Sequence, residues 1–283
     1  MIPLKDNIPT ARFAFLTVLL IAINVAVFAW ELTLSQDSGS APGRAGQLGA
    51  SQYDEKLIEY GAIPYRITHP GEDCGLAATA GQNADIVCEG TSEFQRADAQ
   101  GAFVPLDAPP WWATILFSMF LHGGILHLAG NLLFLWVFGN NIEDGMGRVR
   151  FIPFYLLAGV VALYSQALLD TSATEPTIGA SGAIAGVLGA YALLHRDARI
   201  LTLIFIIFFV TLVEIPALVM LGIWFVLQFL PAVGQLATPD VSGTGGGVAY
   251  FAHVGGFIFG LALIKLFVAG RRQATPSPQY PVY

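Results

Sequence analysis

Residues 178–194 read IGASGAIAGVLGAYALL, and residues 248–264 read VAYFAHVGGFIFGLALI. Both stretches are apolar enough for membrane helices, yet one carries Ser181 and the other carries His253, each close to glycines. Polar side chains are expensive to bury in hydrocarbon, so they mark a functional site by default. A hydroxyl and an imidazole are the groups that a serine nucleophile and its general base need. Ser181 and His253 are therefore the first candidates for catalytic residues.

The composition places the whole chain in the membrane class. Of its 283 residues, 55% are hydrophobic and 12% are charged, and its mean hydropathy is +0.63. A soluble domain carries about 25% charged residues. A helix needs about 20 apolar residues to cross the hydrocarbon, and six apolar runs are found at 13–30, 111–138, 151–169, 178–194, 200–230 and 248–269. We therefore predict an all-α, polytopic membrane protein with a bundle of six transmembrane helices.

The apolar run 200–230 is longer than a single span requires. Its first part, 200–213, is rich in β-branched and aromatic residues, so a helix is not assured there. We expect an interfacial or re-entrant stretch over 200–213, followed by the fifth span over 216–230.

The distribution of charge predicts the topology. The net charge is −7, and twelve acidic residues lie between the first two apolar runs. Nine of the thirteen basic residues lie at the termini or in loops separated from the N-terminus by an even number of spans: Lys5, Arg12, Arg148, Arg150, Arg196, Arg199, Lys265, Arg271 and Arg272. The positive-inside rule then places both termini in the cytoplasm and residues 31–110 outside.

These features divide the chain into four segments. Residues 1–30 form the N-terminal tail and first span, and residues 31–110 form a long external acidic loop, which we expect to be irregular. Residues 111–270 contain the remaining five spans, with a helix break expected at Gly123-Gly124. Residues 271–283 are expected to be a disordered cytoplasmic tail.

The external loop contains both cysteines of the chain, Cys74 and Cys88. In an oxidising compartment, two cysteines this close in sequence favour a disulfide. Two free thiols are the alternative.

Small residues predict how the two polar helices could meet. Gly182, Gly186 and Ala190 recur every four residues, as do Gly256 and Gly260. Such faces let helix backbones approach closely. The fourth and sixth spans run in the same direction, so both candidates lie at a similar depth and can come within hydrogen-bonding distance. The alternatives are that the serine serves interhelical packing and that the histidine caps a carbonyl or binds a metal.

A second polar pair lies in the second span. His127 and Asn131 are four residues apart, so their side chains share one helix face. Both can donate hydrogen bonds, as a developing oxyanion requires. The alternatives are a packed neutral imidazole and an amide that joins two helices. His122 could support the site, whereas His69 and His195 are given no role.

These motifs resemble the rhomboid family of intramembrane serine proteases over about 111–269. His122-Gly-Gly-Ile-Leu-His127-Leu-Ala-Gly-Asn131 is similar to the family's histidine–asparagine segment. Gly179-Ala180-Ser181-Gly182 is similar to its nucleophile motif, and Ala252-His253-Val254-Gly255-Gly256 to its general-base motif. The polar turn over 143–151 resembles the family's second loop.

The resemblance implies a rhomboid-like bundle and a serine–histidine dyad with no third carboxylate. Ser181 would be the nucleophile, with Gly179 and Gly182 as supporting residues, and His253 would be the general base. His127, Asn131 and the Ser181 backbone N–H would form the oxyanion hole. Some family members carry an aromatic residue where this chain has Ala185. Either another ring, such as Tyr250 or Phe257, orients His253, or the base is held more loosely.

The resulting prediction is an endopeptidase that hydrolyses transmembrane-protein substrates within the lipid bilayer. A catalytically silent relative that binds membrane helices is the alternative, and a channel or carrier with a histidine proton path is a third reading. We expect no cofactor, no metal ion and no nucleic-acid partner, and the oligomeric state is open. The glycine-rich stretch 243–247 is read as a mobile cap or a flexible connector. By resemblance, the expected location is a prokaryotic plasma membrane, with the active site opening to the external face.

Overall fold

The protein is described here by a computed structural model over residues 1–78, 84–206, 209–237 and 248–270. These residues divide into two compact units. The first contains Met1–Ile23, Gly124–Ala162 and the described residues from Ala180 onward. The second contains Asn24–Gly123 and Leu163–Gly179. The expected cap at 243–247 and the expected tail at 271–283 lie outside the described residues.

Helices account for most of the described elements. In chain order, the elements are β1 (Ile2–Asp6), α1 (Phe15–Glu31), α2 (Gly43–Gln47), α3 (Gln52–Tyr60), α4 (Pro64–Thr68), β2 (Cys74–Ala78), β3 (Ala84–Cys88), α5 (Ser92–Ala99), β4 (Phe103–Pro105), α6 (Trp111–Ser118), α7 (Ile125–Phe134), a π-helical turn (Leu135–Gly139), α8 (Asn140–Met146), α9 (Arg148–Ala167), α10 (Ser181–Leu194), β5 (Arg199–Ile206), β6 (Phe209–Pro216), α11 (Ala217–Ala237) and α12 (Tyr250–Val268).

Within the described residues, four helical stretches are long and apolar enough to cross a membrane. They are Ile125–Met146, Arg148–Ala167, Ala217–Gly234 and Tyr250–Val268. Two further apolar helices are shorter, with α1 containing 17 residues and α10 containing 14. Both fall below the roughly 20 residues of an untilted span. The mainly helical membrane architecture is thus confirmed, whereas the count of six spans stays a prediction.

The all-α prediction is wrong, because the described residues contain two three-stranded antiparallel sheets. In the first unit, β5 and β6 pair antiparallel within the stretch predicted to be interfacial or re-entrant, and β1 pairs with the other side of β5. The β-branched and aromatic residues of this stretch suit a pleated strand. Pairing with β1 also satisfies backbone groups that a lone hairpin would leave open. The local sequence does not indicate that β5 pairs with β6 on one side and with β1 on the other.

The closest helix packing in the first unit joins α10 to α12. A Cβ atom added at Gly260 would overlap the Gly186 carbonyl oxygen, and one added at Gly256 would overlap the carbonyl oxygen of Gly182. The same order of contacts along both helices means that they run parallel. The glycine face of α10 also packs on α9, since a Cβ at Gly182 would lie 2.6 Å from the Cβ of Ala162. The structure therefore places these glycines where the two backbones touch.

The polar helix α8, which follows the second apolar run, caps the N-terminus of α1. Glu143, on α8, is only 2% exposed, and its carboxylate accepts hydrogen bonds from the backbone N–H groups of Leu16 and Thr17 at 3.1 and 2.7 Å. These donors lie in the first turn of α1, where N–H groups have no partner within the helix and a negative charge is favourable. This segment was expected to be a turn. It is helical as far as Met146, and this helix places the Glu143 carboxylate at the N-terminus of α1.

A second long-range contact fixes the N-terminal strand. The Tyr191 hydroxyl, on α10, donates a hydrogen bond to the Asp6 carboxylate over 2.6 Å. The side-chain amide of Asn141 donates to the same carboxylate oxygen. Burial outweighs the hydrogen bond from Tyr191 and raises the pKa of Asp6 to about 6. The strand β1 is therefore attached to α8 and α10 by one partly buried carboxylate.

The second unit is a folded structure rather than the irregular loop that we expected. Its sheet has the order β3-β2-β4, and Cys74 and Cys88 form a disulfide from opposite positions on β2 and β3. The helix α3 begins with a capping box between Ser51 and Asp54. A small apolar core includes Ala41, Ala45, Ala50, Ile58, Ile63, Tyr65, Leu76 and Val104. The strands and several helices contain about five residues or fewer, too short for a clear periodic pattern.

The contact between α10 and α12 predicts different effects for two glycine substitutions. Gly260→Ala should lower the melting temperature in detergent, because the added methyl group overlaps Gly186 and overpacking costs about 1–3 kcal/mol. Gly222→Ala, on α11, is the matched control because its Cβ would meet no atom within 4 Å. Equal melting temperatures for the two variants would contradict this description of the interface.

The partly buried carboxylate of Asp6 predicts a pH-dependent stability. Its folded pKa of about 6 exceeds the ordinary value of 3.8, so its contribution to the free energy of unfolding is fully present below about pH 4 and is lost as the pH rises through about 6. The melting temperature should therefore fall more between about pH 4.5 and about pH 7.5 for the wild type than for Asp6→Asn. Asp197→Asn, which changes an exposed carboxylate of the same unit, is the control. Parallel curves for the wild type and Asp6→Asn would refute the prediction.

Candidate active site

Ser181 is the first residue of α10, at the end of the helix where backbone N–H groups point outward. The first four N–H groups of a helix have no partner within the helix, and the helix dipole makes this end partly positive. Gly179 precedes the helix with φ +113°, a conformation that L side chains rarely adopt, which explains a glycine there. The local sequence thus starts a helix at the serine and leaves donors beside its hydroxyl.

His253 lies in the first turn of α12, directly opposite the serine. Its Nε2 atom is 2.7 Å from the Oγ atom of Ser181, within the range of a strong hydrogen bond. Both side chains are partly buried. The contact depends on the glycine-lined packing of α10 on α12, because neither side chain is long. The structure therefore brings together the two residues that the sequence analysis selected first.

The second ring nitrogen of His253 contacts a residue that the sequence analysis missed. The Nδ1 atom is 2.7 Å from the Oε1 atom of Gln228, on α11. A signal was available, since Gln228 is the one amide or charged residue in the apolar run 217–230. An isolated polar side chain in such a run is the same kind of evidence that identified Ser181.

Aromatic side chains of α11 occupy the space beside the imidazole. The Trp224 ring centroid is 6.0 Å from that of His253, at an interplanar angle of 40°. Phe257, one of the rings considered above, instead packs on Phe225 with centroids 4.8 Å apart and stacks on Trp224 at 6.0 Å. Ala185 is fully buried within α10. The aromatic neighbour of the histidine thus comes from a different helix than the family pattern suggested.

His127 and Asn131 lie on α7, which packs against α10. Asn131 is 7% exposed, whereas His127 is among the exposed residues of this helix. Gly182 lies in the contacts of α10 with α9 and α12, as described above. The role of these two residues as hydrogen-bond donors to an oxyanion stays a prediction.

The remaining histidines contact other groups. His122 belongs to the second unit, where it is fully buried and its backbone N–H donates to the Glu31 carboxylate at 3.1 Å. His69 stacks on Tyr65 in the same unit, with centroids 4.2 Å apart. His195 lies beyond the far end of α10 from Ser181, and burial lowers its pKa to about 4, which keeps it neutral.

The chemistry available at Ser181 is proton transfer between neighbouring polar groups. Among the described residues, no three histidine, cysteine, aspartate or glutamate side chains converge as metal ligands. What converges is a hydroxyl, an imidazole and an amide, joined in a row by two hydrogen bonds. Such a row can take a proton from the hydroxyl and thereby activate the oxygen.

Comparison with known proteins agrees with this architecture. The family model of the rhomboid domain matches residues 109–270, which is more than half of the chain. The yeast mitochondrial rhomboid protein 1 is 30% identical over 152 residues, covering 52% of this chain and 40% of that protein. The mouse mitochondrial presenilin-associated rhomboid-like protein is 29% identical over 152 residues, covering 52% and 36%.

A bacterial protein also matches. The rhomboid protease GluP of Bacillus subtilis is 42% identical over 80 residues, covering 28% of this chain and 15% of that protein. This chain thus spans less than half the length of these relatives. The match to the family model nevertheless extends over most of the helices described above, including α10 and α12. The chain belongs to the rhomboid family.

Proposed function

We propose that this protein is an intramembrane serine endopeptidase, with Ser181 as the nucleophile and His253 as the general base. The observation that carries the proposal is the 2.7 Å contact between Ser181 Oγ and His253 Nε2, on two apolar helices. Membership of the rhomboid family supports it, as does the similarity to a bacterial relative that is named a protease. Buried polar residues without a function would be costly in such helices.

In the first chemical step, Ser181 Oγ forms a bond to the carbonyl carbon of the scissile peptide. The hydroxyl proton passes to His253 Nε2, and the carbonyl π electrons move onto the oxygen. The C–N bond of the resulting tetrahedral intermediate then breaks, and the imidazolium donates its Nε2 proton to the departing amine. An acyl-enzyme remains on Ser181. Water, activated by the neutral imidazole, hydrolyses this ester and restores the hydroxyl.

The oxyanion formed in these steps needs hydrogen-bond donors. We assign this role to the Ser181 backbone N–H, the Asn131 amide and the His127 imidazole. The first lies at the positive end of α10, and the other two lie on one face of α7, which packs against α10. Preorganised donors of this kind act strongly where water is scarce.

The proposed substrates are transmembrane proteins, and the proposed site opens to the external face. The positions of the basic residues support cytoplasmic termini and six spans, which would make α10 run inward from an outer Ser181. The disulfide between Cys74 and Cys88 supports an oxidising compartment for the second unit. The relatives include mitochondrial and bacterial proteins, so the prokaryotic plasma membrane stays a prediction.

Removing the nucleophile tests the proposal directly. Purified Ser181→Ala in lipid should not cleave a fluorescent transmembrane substrate that the wild type cleaves, because no oxygen remains to attack the carbonyl. Ser172→Ala, which removes an exposed loop hydroxyl, should cleave at the wild-type rate. Cleavage by Ser181→Ala would refute the nucleophile assignment.

A serine-directed covalent probe separates a protease from a silent relative. The wild type should react with the probe at Ser181, because the imidazole activates that hydroxyl, and Ser181→Ala should not react. A wild type that stays unlabelled and does not cleave would favour a protein that binds membrane helices without hydrolysing them.

Removing an oxyanion donor should slow the chemical step. We expect Asn131→Ala to lower kcat by about 10²–10³ with little change in KM, because the amide would act only on the transition state. Leu132→Ala, at the next position of α7, is the control for packing effects. A kcat within a few-fold of the wild type in Asn131→Ala would remove this residue from the oxyanion hole.

A further inference from the structure

Both nitrogens of the His253 ring have a hydrogen-bond partner, and the two partners lie on different helices. Nε2 contacts Ser181 on α10, and Nδ1 contacts Gln228 on α11, each over 2.7 Å. The imidazole is therefore held from two sides in the plane of its ring. A contact with Gln228 has no counterpart in the serine–histidine dyad expected from the sequence.

The type of atom at Gln228 decides where the ring proton lies. A neutral imidazole has one N–H and one lone pair, and an amide oxygen can only accept a hydrogen bond. With Gln228 Oε1 facing Nδ1, the N–H must be at Nδ1. The lone pair is then at Nε2, where it can accept the proton of the Ser181 hydroxyl. The opposite tautomer would direct an N–H at the serine and leave no base.

The neighbouring side chains show that Gln228 lies on the face of α11 that meets α12. Gln228 and Trp224 are four residues apart, so they share one face of α11, and the Trp224 ring lies beside the imidazole at 6.0 Å. The same face packs on α12 through Trp224 and Phe257. In contrast, the neighbouring Leu227 is 59% exposed. The one polar side chain of the run 217–230 is thus on the face that reaches the base.

We propose that Gln228 is a positioning residue that keeps the His253 proton on Nδ1 and so makes Nε2 the general base. The role rests on the proposed function, in which His253 is that base. Gln228 takes the place that a carboxylate holds in a three-residue serine–histidine–aspartate arrangement. An amide provides the acceptor without a second charge, and an unpaired charge at membrane depth is expensive.

Activity measurements on three variants test the proposal. Gln228→Leu keeps a similar side-chain volume but removes the acceptor. It should lower kcat by about 10²-fold or more. The upper bound is about 10⁴-fold, the loss that a wrong histidine tautomer causes in a serine–histidine–aspartate triad. KM should change little, because Gln228 positions the base rather than the substrate. Gln228→Glu offers an acceptor oxygen in either protonation state and should restore kcat to within about tenfold of the wild type. Leu227→Ala, on the exposed face of α11, should match the wild type.

These variants also separate positioning from general packing. If Gln228→Leu retained the wild-type kcat, or if Gln228→Glu were as slow as Gln228→Leu, the proposal would be overturned. Melting temperatures for all variants show whether a loss of kcat comes from unfolding. Different results would contradict the proposed function: a wild-type protein that does not cleave the substrate, or a Ser181→Ala variant that does.

A spectroscopic measurement tests the same idea without any turnover. In protein with ¹⁵N-labelled histidine, the His253 resonances, assigned by their absence in His253→Ala, should report a proton on Nδ1. The Gln228→Leu variant should shift the tautomer population toward Nε2–H, and Gln228→Glu should retain Nδ1–H. A wild-type ring protonated at Nε2, or identical tautomers in the wild type and Gln228→Leu, would refute the positioning role.

Discussion

The close approach of α10 to α12 is the constraint on which the rest of the site depends. Ser181 has a side chain of two heavy atoms, so it can meet His253 at 2.7 Å only if the helix backbones nearly touch. Glycines at 189, 256 and 260 permit this contact, because a methyl group at any of them would overlap backbone atoms of the facing helix. The order of these contacts also makes the helices parallel, which places both polar residues near the N-terminal ends of their helices.

Once the helices are this close, the polar groups of the first unit need specific partners. With 12% charged residues, the chain has few polar side chains, and an unsatisfied polar group in an apolar surrounding is costly. Glu143 satisfies the first N–H groups of α1, Asp6 accepts from Tyr191, and Gln228 pairs with His253. Each pair joins two different elements, so the same contacts that satisfy the polar groups also hold the helices and the N-terminal strand in place.

The second unit is stabilised in another way. Its apolar core is small, and a disulfide joins two of its short strands. Small cores often depend on such cross-links. Its acidic and glycine-containing sequence lacks a sustained period, so the sequence predicts an irregular segment. The capping box at Ser51 and Asp54 was a local signal for α3, but strands of five residues or fewer leave too weak a pattern to be recognised.

What the sequence by itself determined was the membrane class, the positions of the apolar helices, and Ser181, His253 and their flanking glycines as the residues to examine. These features are local: hydropathy, four-residue spacing and polar residues in apolar runs can be read along one stretch of chain. The tertiary structure alone decided that β5 pairs with both β6 and β1, that Tyr191 meets Asp6, and that Gln228 contacts the second nitrogen of His253. The physical reason is that such contacts join residues up to 185 positions apart, and local periodicity carries no information about which distant residue will be the partner.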